Sequence, residues 1–389
     1  MSDDATHFLV STARRTRGHH DRTPELNGMP NPIALWVSPV SELAGVARHI
    51  IDVATVGLPG WRLVVAAPEG PLLDRLRELG VAVLPLPMTS TRRTTLALRH
   101  ILKRLRPTIA HSHLAKADIL LAAASAGLPV VLVTTEHHIS PDRYMFHPTR
   151  TSAATMETVH RIRLTRFRGA IAVSESTRRD MLARWHPRLP IHTILNGVDR
   201  PVPSPARQPG LRLLSLSRLA PEKNVAMALR AFSLLASEHP DARLTVAGQG
   251  PEDEALRALA ASLGVDDRTS FPGFVDARRA MAEHDVLIQP SLSDNCSYSL
   301  LDAVANGMGV AASPIGGNPE ILPARCIADF GDDRGLADIA VAQGQELRLR
   351  AALADHVPTV AGMAEQITEV YREVAAPGRT RDARTEGTR

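Results

Sequence analysis

Cysteine, lysine and aromatic residues are all scarce in this chain of 389 residues. The two cysteines, Cys296 and Cys326, are too few for a disulfide framework, and this favours a reducing compartment such as the cytosol. Aromatic residues make up 3% of the sequence, so the cores must be built from aliphatic side chains, as in α/β proteins rich in Ala, Leu and Val. The formal net charge of +4 is small for this length, and we expect no nucleic-acid partner.

The sequence also lacks a long hydrophobic run. Its longest apolar stretch, Ile119 to Val133, is interrupted by Gly127 and Pro129 and is too short to span a bilayer. The first 31 residues are polar and rich in Arg, His and Pro, without the apolar segment of a secretory signal. We therefore expect a cytoplasmic location, with disordered tails at 1–31 and 377–389.

Short apolar segments alternate with amphipathic segments along most of the chain. This pattern predicts parallel sheets covered by helices on both faces. One series of such units occupies 32–200 and a second occupies 201–358, and between them 200–210 holds four prolines without periodicity, as in a linker. We predict an α/β protein of two Rossmann-like, doubly wound domains that face a cleft, where ligands of such sheets bind.

The segment from Pro290 to Leu322 has the features of a ligand site. A short strand leads into a polar turn with Asp294, and the helix that follows carries Asp302, eight positions later. The helix N-terminus offers backbone N–H groups to an anion or to sugar hydroxyls. The residues predicted to supply these groups are Cys296, Ser297 and Tyr298. In the alternative interpretation Asp294 caps the helix and Asp302 is a solvated helix residue.

Two cations flank a loop between a predicted strand and a predicted helix. Arg218 and Lys223 can both reach the carboxyl end of the strand, where they would clamp a diphosphate. Alternatively they are surface residues, one of them paired with Glu222. Because the chain has only three lysines, the presence of Lys223 favours the functional interpretation.

Histidine clusters follow two predicted strands of the first domain, at His111-Ser112-His113 and at Glu136-His137-His138. Equivalent positions at two strand ends favour a shared cleft. Histidine would allow a metal site, but no spacing here resembles a zinc-ligand pattern. Near the end of the first strand, Gly45 would let a ligand approach the backbone closely.

Basic residues are concentrated on two predicted helices of the first domain. A solvated helix face and a patch attracted to anionic lipid are equally compatible with this pattern. The residues are Arg92, Arg93, Arg99, Lys103, Arg104 and Arg106 in one cluster, and Arg161, Arg163, Arg166 and Arg168 in the other.

Taken together, these motifs resemble the retaining GT-B glycosyltransferases of the glycosyltransferase 4 (group 1) family. The resemblance covers residues 32–373 and includes the segment from Pro290 to Leu322 described above. Its other motifs are SRLAPEKN (Ser217–Asn224), VAGQGPE (Val246–Glu252), FPGFV (Phe271–Val275) and ILNGVD (Ile194–Asp199).

The resemblance implies a nucleoside diphosphate sugar donor, held mainly by the C-terminal domain, with no other cofactor and no metal. It places Arg218 and Lys223 at the donor diphosphate, Asp294 at the donor sugar and Asp302 at the ribose. The helix at 359–376 is expected to cross back and pack on the N-terminal domain.

Further site residues follow from the same resemblance. Val275 lies where backbone groups meet the nucleotide base, His137 near the donor sugar, and Gly45 near the phosphates and the acceptor. We therefore expect catalytic roles for Asp294, His137, Arg218 and Lys223. The expected donor contacts are Gly45, Arg218, Lys223, Val275, Asp294, Asn295, Cys296, Ser297, Tyr298 and Asp302.

The chain departs from the family pattern at several of these positions. Both motif acids are Asp in place of Glu, and Asn295-Cys296-Ser297 replaces glycines after the first acid. The first glycine of the N-terminal loop is Ala44. A carboxylate shorter by one methylene shifts its contacts by about an ångström, and misplacement on that scale costs roughly 10²-fold in rate.

The sequence thus predicts a retaining, metal-independent transfer of a hexosyl unit to an acceptor hydroxyl in envelope polysaccharide, exopolysaccharide or glycolipid biosynthesis. The acceptor is a carbohydrate, a lipid-linked molecule or a small molecule, with peripheral contact to the inner face of an anionic membrane. The alternatives are glycosylation of a soluble, aminocyclitol-like natural product, a catalytically weak nucleotide-sugar-binding homologue, and an epimerase of the same architecture.

Overall fold

The computed structural model describes residues 30–139, 149–201 and 207–376. These residues form two parallel sheets, one of seven strands and one of five, each covered by helices. The predicted fold class is therefore confirmed. The predicted tails lie outside the described residues, apart from Pro30 and Asn31, and so does 202–206 of the predicted linker. No helix in the described ranges is both long and apolar enough to cross a membrane.

The N-terminal sheet has the strand order β3-β2-β1-β4-β5-β6-β7, with every neighbouring pair parallel. Alternate residues of a strand point to opposite faces of a sheet, and both faces of β1 are buried. Ala34 and Trp36 join the core on one face, while Leu35 and Val37 join the core on the other. The strands are β1 Ile33–Val37, β2 Arg62–Ala67, β3 Ala82–Pro85, β4 Ile109–His113, β5 Val131–Glu136, β6 Gly169–Ala172 and β7 Ile191–Thr193.

Six helices connect the described parts of these strands. Serine residues begin two of them, because the Ser90 and Ser174 side chains accept hydrogen bonds from the first-turn N–H groups of Arg93 and Thr177. The helices are α1 Gly45–Val56, α2 Pro71–Glu78, α3 Thr91–Leu105, α4 Ala115–Ala124, α5 Arg150–Leu164 and α6 Glu175–Trp185.

The C-terminal sheet has the strand order β10-β9-β8-β11-β12, again with parallel pairing. Its strands are β8 Arg212–Leu216, β9 Arg243–Ala247, β10 Thr269–Gly273, β11 Val286–Gln289 and β12 Gly309–Ala312. The helices are α7 Val225–Glu238, α8 Asp253–Ser262, α9 Ala277–Glu283, α10 Tyr298–Ala305, α11 Asn318–Ile321 and α12 Asp333–Gln345.

The sequence pattern did not predict α12. Its apolar face is made of small residues, and Gly335 and Gly344 lie within it, so the helical periodicity is weak. Leu336, Ala337 and Ala340 nevertheless pack into the C-terminal core. The predicted helix start at Asn224 is also altered, because Pro221–Lys223 forms a 3₁₀ turn and Asn224 takes a left-handed conformation (φ 50°) before α7 begins.

The last helix, α13 Val360–Ala375, packs on the N-terminal domain. Met363, Ile367 and Tyr371 are buried in its core. The Trp36 indole donates a 2.7 Å hydrogen bond to the Tyr371 oxygen, which lies 2.5 Å from His111 Nδ1. A buried polar chain thus links α13 to β1 and β4.

Two chain segments cross between the domains side by side. The Val198 N–H donates to the Pro358 carbonyl at 3.0 Å, and the Val360 N–H donates to Asp199 Oδ1 at 3.1 Å. Gly197 is required here, because a Cβ at this position would lie 2.6 Å from the Thr359 carbonyl oxygen.

Candidate functional site

The candidate site residues lie where the strand order of each sheet reverses. The reversal falls between β1 and β4 in the first sheet and between β8 and β11 in the second. Ligands of doubly wound sheets bind outside the carboxyl ends of the strands at such switch points. Gly45 and His113 follow β1 and end β4, while Arg218 and Asp294 follow β8 and β11.

Contacts between the domains bring the two switch points together. His138 Nε2 of the N-terminal domain lies 3.2 Å from Ser293 Oγ, the neighbour of Asp294. On the other side, the Glu320 carboxylate accepts hydrogen bonds of 2.8 Å from the N–H groups of Glu175 and Ser176. A carboxylate at the N-terminus of α6 is favoured by the helix dipole.

Lys223 and Asp294 form an ion pair at the carboxyl end of the C-terminal sheet. Lys223 Nζ lies 3.0 Å from Asp294 Oδ2, and both side chains are largely shielded from solvent. The Asp294 carboxylate also accepts from its neighbours Gln289 and Asn295, at 3.3 and 2.9 Å. Sequence reasoning assigned both residues to the donor, and the structure brings them together.

Backbone contacts fix the two loops that carry this pair. The Leu292 N–H donates to the Glu222 carbonyl at 2.9 Å, and Asn224 Nδ2 donates to the Pro290 carbonyl at 3.2 Å. Gly316 lies under the second loop with φ 55°, and a Cβ there would lie 1.9 Å from the Asp294 carbonyl oxygen. Only glycine satisfies both the conformation and the space.

Arg218 does not join the Lys223–Asp294 pair in this structure. Its side chain is 63% exposed and pairs with Glu222, which is the contact of the alternative interpretation. An exposed ion pair contributes only about 0–1 kcal/mol. Arg218 can therefore leave Glu222 at little cost to reach a diphosphate.

Asp302 lies on α10 and is held by Arg48 of α1. Arg48 contacts both carboxylate oxygens, with Nη2 2.9 Å from Oδ1 and Nη1 bound to Oδ2. The guanidinium also lies 4.4 Å from the ring centroid of Tyr298, and Arg48 Nε contacts Asp52 at 3.3 Å. Asp302 is therefore not the solvated helix residue of the alternative interpretation, and a ribose could reach it only in exchange for Arg48.

The N-terminus of α10 is tied into the interface between the domains. Ser297 is the N-cap, its oxygen accepting from the Leu300 N–H and lying 3.0 Å from Gln289 Nε2. Cys296 is buried, and its carbonyl accepts from Asn196 Nδ2 at 2.9 Å. The Asn295 amide oxygen accepts from the backbone N–H of Ile139, and this amide also contacts the Thr177 hydroxyl.

The side chains in this segment are therefore structural in the present arrangement. Asn295, Cys296 and Tyr298 are each less than a tenth exposed. The glycines of the family pattern have been replaced by residues whose side chains fill the interface. A donor could meet only the backbone of these residues.

His137 is half-buried beside the cleft. Its Nε2 lies 2.9 Å from His113 Nδ1, and His49 of α1 packs against both rings. Burial, together with the neighbouring histidines, lowers the pKa of His137 well below its ordinary value. The imidazole is therefore neutral at physiological pH, and it can donate one hydrogen bond and accept one.

The remaining predicted contacts are open to the cleft or to solvent. Gly45 begins α1, and a Cβ there would have no atom within 4 Å. Val275 follows β10 and is partly packed against the core, whereas its neighbour Phe274 is 76% exposed. Phe274 was inside a quoted motif, but its exposure could not be read from the sequence.

The second predicted basic cluster is not a free surface patch. Arg163 is buried and binds Asp118 and Glu136, while Arg161 and Arg166 donate to backbone carbonyls. This follows from the packing of α5 against its neighbours, which the charge pattern does not reveal. On α3 the exposed residues include Arg92, Arg93, Lys103 and Arg104, with Leu96 57% exposed among them.

Comparison with known proteins assigns the chain to a class. The profile for Glycosyltransferase Family 4 matches residues 44–200, and the profile for Glycosyl transferases group 1 matches residues 210–342. Solved structures with the same arrangement are GT-B glycosyltransferases. The chain belongs to the glycosyltransferase 4 (group 1) family, and the resemblance seen in its motifs is confirmed.

Relatives of known name are distant. Glycogen synthase of Mycobacterium tuberculosis is 28% identical over 74% of this chain and 78% of its own length. A human phosphatidylinositol N-acetylglucosaminyltransferase is 25% identical over 59% of this chain, but the match spans only 48% of that protein. The amylovoran biosynthesis glycosyltransferase AmsK of Erwinia amylovora is 29% identical over 42% of both chains.

Solved structures agree on the fold. HepE of Anabaena, in complex with UDP and glucose, is 18% identical with a TM-score of 0.71, over 87% of this chain and 98% of that one. A glycosyltransferase from Rickettsia africae is 17% identical with a TM-score of 0.72, over 90% of this chain and 100% of that one. At this identity the likeness establishes the architecture alone.

Proposed function

We propose that the protein transfers a hexosyl unit from a nucleoside diphosphate sugar to an acceptor hydroxyl, with retention of the anomeric configuration. The observation that carries the proposal is the Lys223–Asp294 pair at the switch point of the C-terminal sheet. It places a cation and a carboxylate next to each other, opposite the histidine loop of the other domain.

The cations act on the leaving group. When the bond from the anomeric carbon to the phosphate oxygen breaks, negative charge develops on the diphosphate. Lys223 is already fixed beside the cleft, and Arg218 reaches the diphosphate by leaving its exposed partner Glu222. A preorganised donor of this kind is typically worth roughly 10²–10³ in rate.

Asp294 and His137 act on the sugar. Asp294 faces the positive charge that develops at the anomeric carbon, while the neutral His137 imidazole hydrogen-bonds a sugar hydroxyl. The acceptor oxygen attacks from the face that the phosphate leaves, and the departing phosphate oxygen takes the acceptor proton. One glycosidic bond replaces another, and no further cofactor enters the balance.

The acceptor belongs to polysaccharide or glycolipid biosynthesis. AmsK, the phosphatidylinositol N-acetylglucosaminyltransferases and the phosphatidylinositol monomannoside mannosyltransferase of Mycolicibacterium smegmatis are relatives whose names contain such acceptors or pathways. The exposed basic residues of α3, with Leu96 among them, would hold the enzyme at an anionic membrane on its cytoplasmic face. A soluble small-molecule acceptor is the alternative, because the N-acetylglucosaminyl L-malate synthase of Bacillus anthracis is also a relative.

A catalytically weak nucleotide-sugar-binding homologue is the second candidate. The contact that favours it is Arg48 on Asp302, since this pair occupies the carboxylate that would receive the ribose. Transfer activity in the purified protein would exclude this candidate.

The test is a donor and acceptor screen by mass spectrometry, followed by NMR of the product anomer. Lys223→Met should lower the rate at least about 100-fold, since it removes a fixed donor to the leaving diphosphate. Lys116→Met is the matched control, because Lys116 is an exposed lysine at the start of α4. An inverted product, or a Lys223→Met rate equal to that of the control, would contradict the proposal.

A further inference from the structure

Four histidines from three elements meet beneath the cleft, and one of them is already committed to structure. His111 Nδ1 lies 2.5 Å from the Tyr371 oxygen and its Nε2 lies 2.8 Å from Thr135 Oγ1. Both of its ring nitrogens are therefore engaged. The other three, His49, His113 and His137, form a cluster in which one ring nitrogen of each lies within 4.8 Å of the others.

The three rings surround a common point. Their centroids are 5.5 Å apart for His49 and His113, 4.9 Å for His49 and His137, and 5.2 Å for His113 and His137. The Trp36 ring covers the inner side, 4.6 Å from the His113 centroid. His137 is the member that reaches the surface of the cleft, so the cluster is closed on the protein side and accessible from the cleft.

Two imidazole nitrogens of the cluster are buried without a hydrogen-bond partner among the described residues. These are His49 Nε2 and His113 Nε2. His49 Nδ1 lies 3.2 Å from Asn196 Oδ1, and an amide oxygen only accepts, so Nδ1 carries the proton of His49. The Asn196 amide is oriented by its donation to the Cys296 carbonyl. The unpartnered His49 Nε2 therefore carries a lone pair.

From this geometry we propose that His49, His113 and His137 form a binding site for a zinc-class divalent cation. Three neutral imidazoles without a carboxylate select a borderline transition metal such as Zn²⁺ over Mg²⁺ or Ca²⁺. The contact from Asn196 to His49 is the kind of outer-shell hydrogen bond that orients metal-ligating histidines. With three protein ligands, the fourth position faces the cleft and takes water or a substrate oxygen.

Small movements complete the site. In a tetrahedral zinc site the ligand nitrogens are about 3.3 Å apart, so the rings must draw in by up to about 1.5 Å. His113 Nδ1 and His137 Nε2 are already 2.9 Å apart and share one proton. Transfer of that proton to the other nitrogen of either ring frees both lone pairs, with no change in total charge. Burial keeps the pKa of all three histidines low, so each is in its ligating form at neutral pH.

The proposal does not depend on the proposed function, because its test involves no donor or acceptor. The full chain is stripped with a chelator and titrated with Zn²⁺ against a chromophoric chelator, and Co²⁺ is added separately to record the visible absorption of four-coordinate cobalt. We expect one Zn²⁺ per chain and a tetrahedral Co²⁺ spectrum. His49→Gln and His137→Gln should each weaken Zn²⁺ binding more than the roughly 10–100-fold typical of outer-shell changes.

The controls separate this site from surface binding and from misfolding. His100→Gln removes an exposed histidine of α3 and should leave stoichiometry and affinity unchanged. Circular dichroism of each variant shows whether it is folded, and His137→Gln is the decisive variant because His137 is only half-buried. The absence of stoichiometric Zn²⁺ binding, or equal binding by wild type and folded His137→Gln, would overturn the proposal. So would a loss of binding in His100→Gln alone.

Discussion

Replacement of Arg48 by methionine should tighten nucleotide binding while it destabilises the fold. In the structure Arg48 binds both oxygens of Asp302, the carboxylate proposed to receive the ribose. A nucleotide must break this pair before it can use Asp302. Arg48→Met keeps most of the aliphatic stem and removes only the competing cation, which lies over the ring of Tyr298.

The magnitude follows from the exposure of the pair. The Arg48 side chain is 37% exposed and that of Asp302 is 16% exposed. Exposed pairs contribute about 0–1 kcal/mol, and removal of one partner from a buried pair costs about 3–5 kcal/mol. For this partly screened pair we expect a loss of about 1 kcal/mol in the free energy of unfolding. The same energy, no longer spent on breaking the pair, should tighten nucleotide binding about fivefold.

Calorimetric titration with UDP and with GDP measures the affinity, and urea unfolding measures the stability. Arg230→Met is the matched control, because Arg230 contacts both oxygens of Asp333 with similar exposure, 41% and 25%, away from the cleft. It should lose similar stability with no change in nucleotide affinity. Weaker nucleotide binding in Arg48→Met would refute the reasoning and make Arg48 itself a nucleotide contact. An Asp302→Asn variant with unchanged affinity would refute the ribose assignment.

Three further predictions concern stability and membrane contact. Burial lowers the pKa of His49 to about 4, so the folded protein binds this proton less well than the unfolded chain, whose pKa is near 6.5. Stability is therefore complete above about pH 6.5 and falls by up to about 3 kcal/mol towards pH 4; urea midpoints against pH should show a weaker slope in His49→Gln, and an unchanged slope would contradict this. Tyr371→Phe removes the acceptor of Trp36 and the partner of His111, and should cost about 1–3 kcal/mol in urea unfolding; an unchanged urea midpoint would show that this buried polar chain adds nothing to stability. Neutralising the basic face of α3 should weaken co-sedimentation with anionic vesicles, and undiminished binding would dismiss the membrane contact; the variant combines Arg92→Gln, Arg93→Gln, Lys103→Gln and Arg104→Gln.

Much of the fold could be predicted because βα units announce themselves locally. A buried strand such as β4 or β5 is a short apolar run, and the helices between strands carry their own periodicity. The exception was α12, where small residues bury a face without a strong pattern. The carboxyl ends of the strands also located the candidate site, since parallel strands bring their ends to one edge.

The partners of the site residues could not be predicted, because they depend on how the two domains meet. Arg48 and Asp302 are separated by 254 positions, and neither carries a local signal of the other. The same holds for Glu320, which binds the N-terminus of α6. His49 was missed as well, although it lies on α1 one turn after Gly45, so attention to that helix face could have found it.

The paired crossing at Val198 and Pro358 determines how the cleft can open. Because both chain segments pass between the domains at one place and are hydrogen-bonded to each other, they work as a single hinge pin. The domains can rotate about it without stretching either segment. Contacts away from the pin, such as Arg48 with Asp302, are then the fastenings that must release before a donor or an acceptor can move in or out.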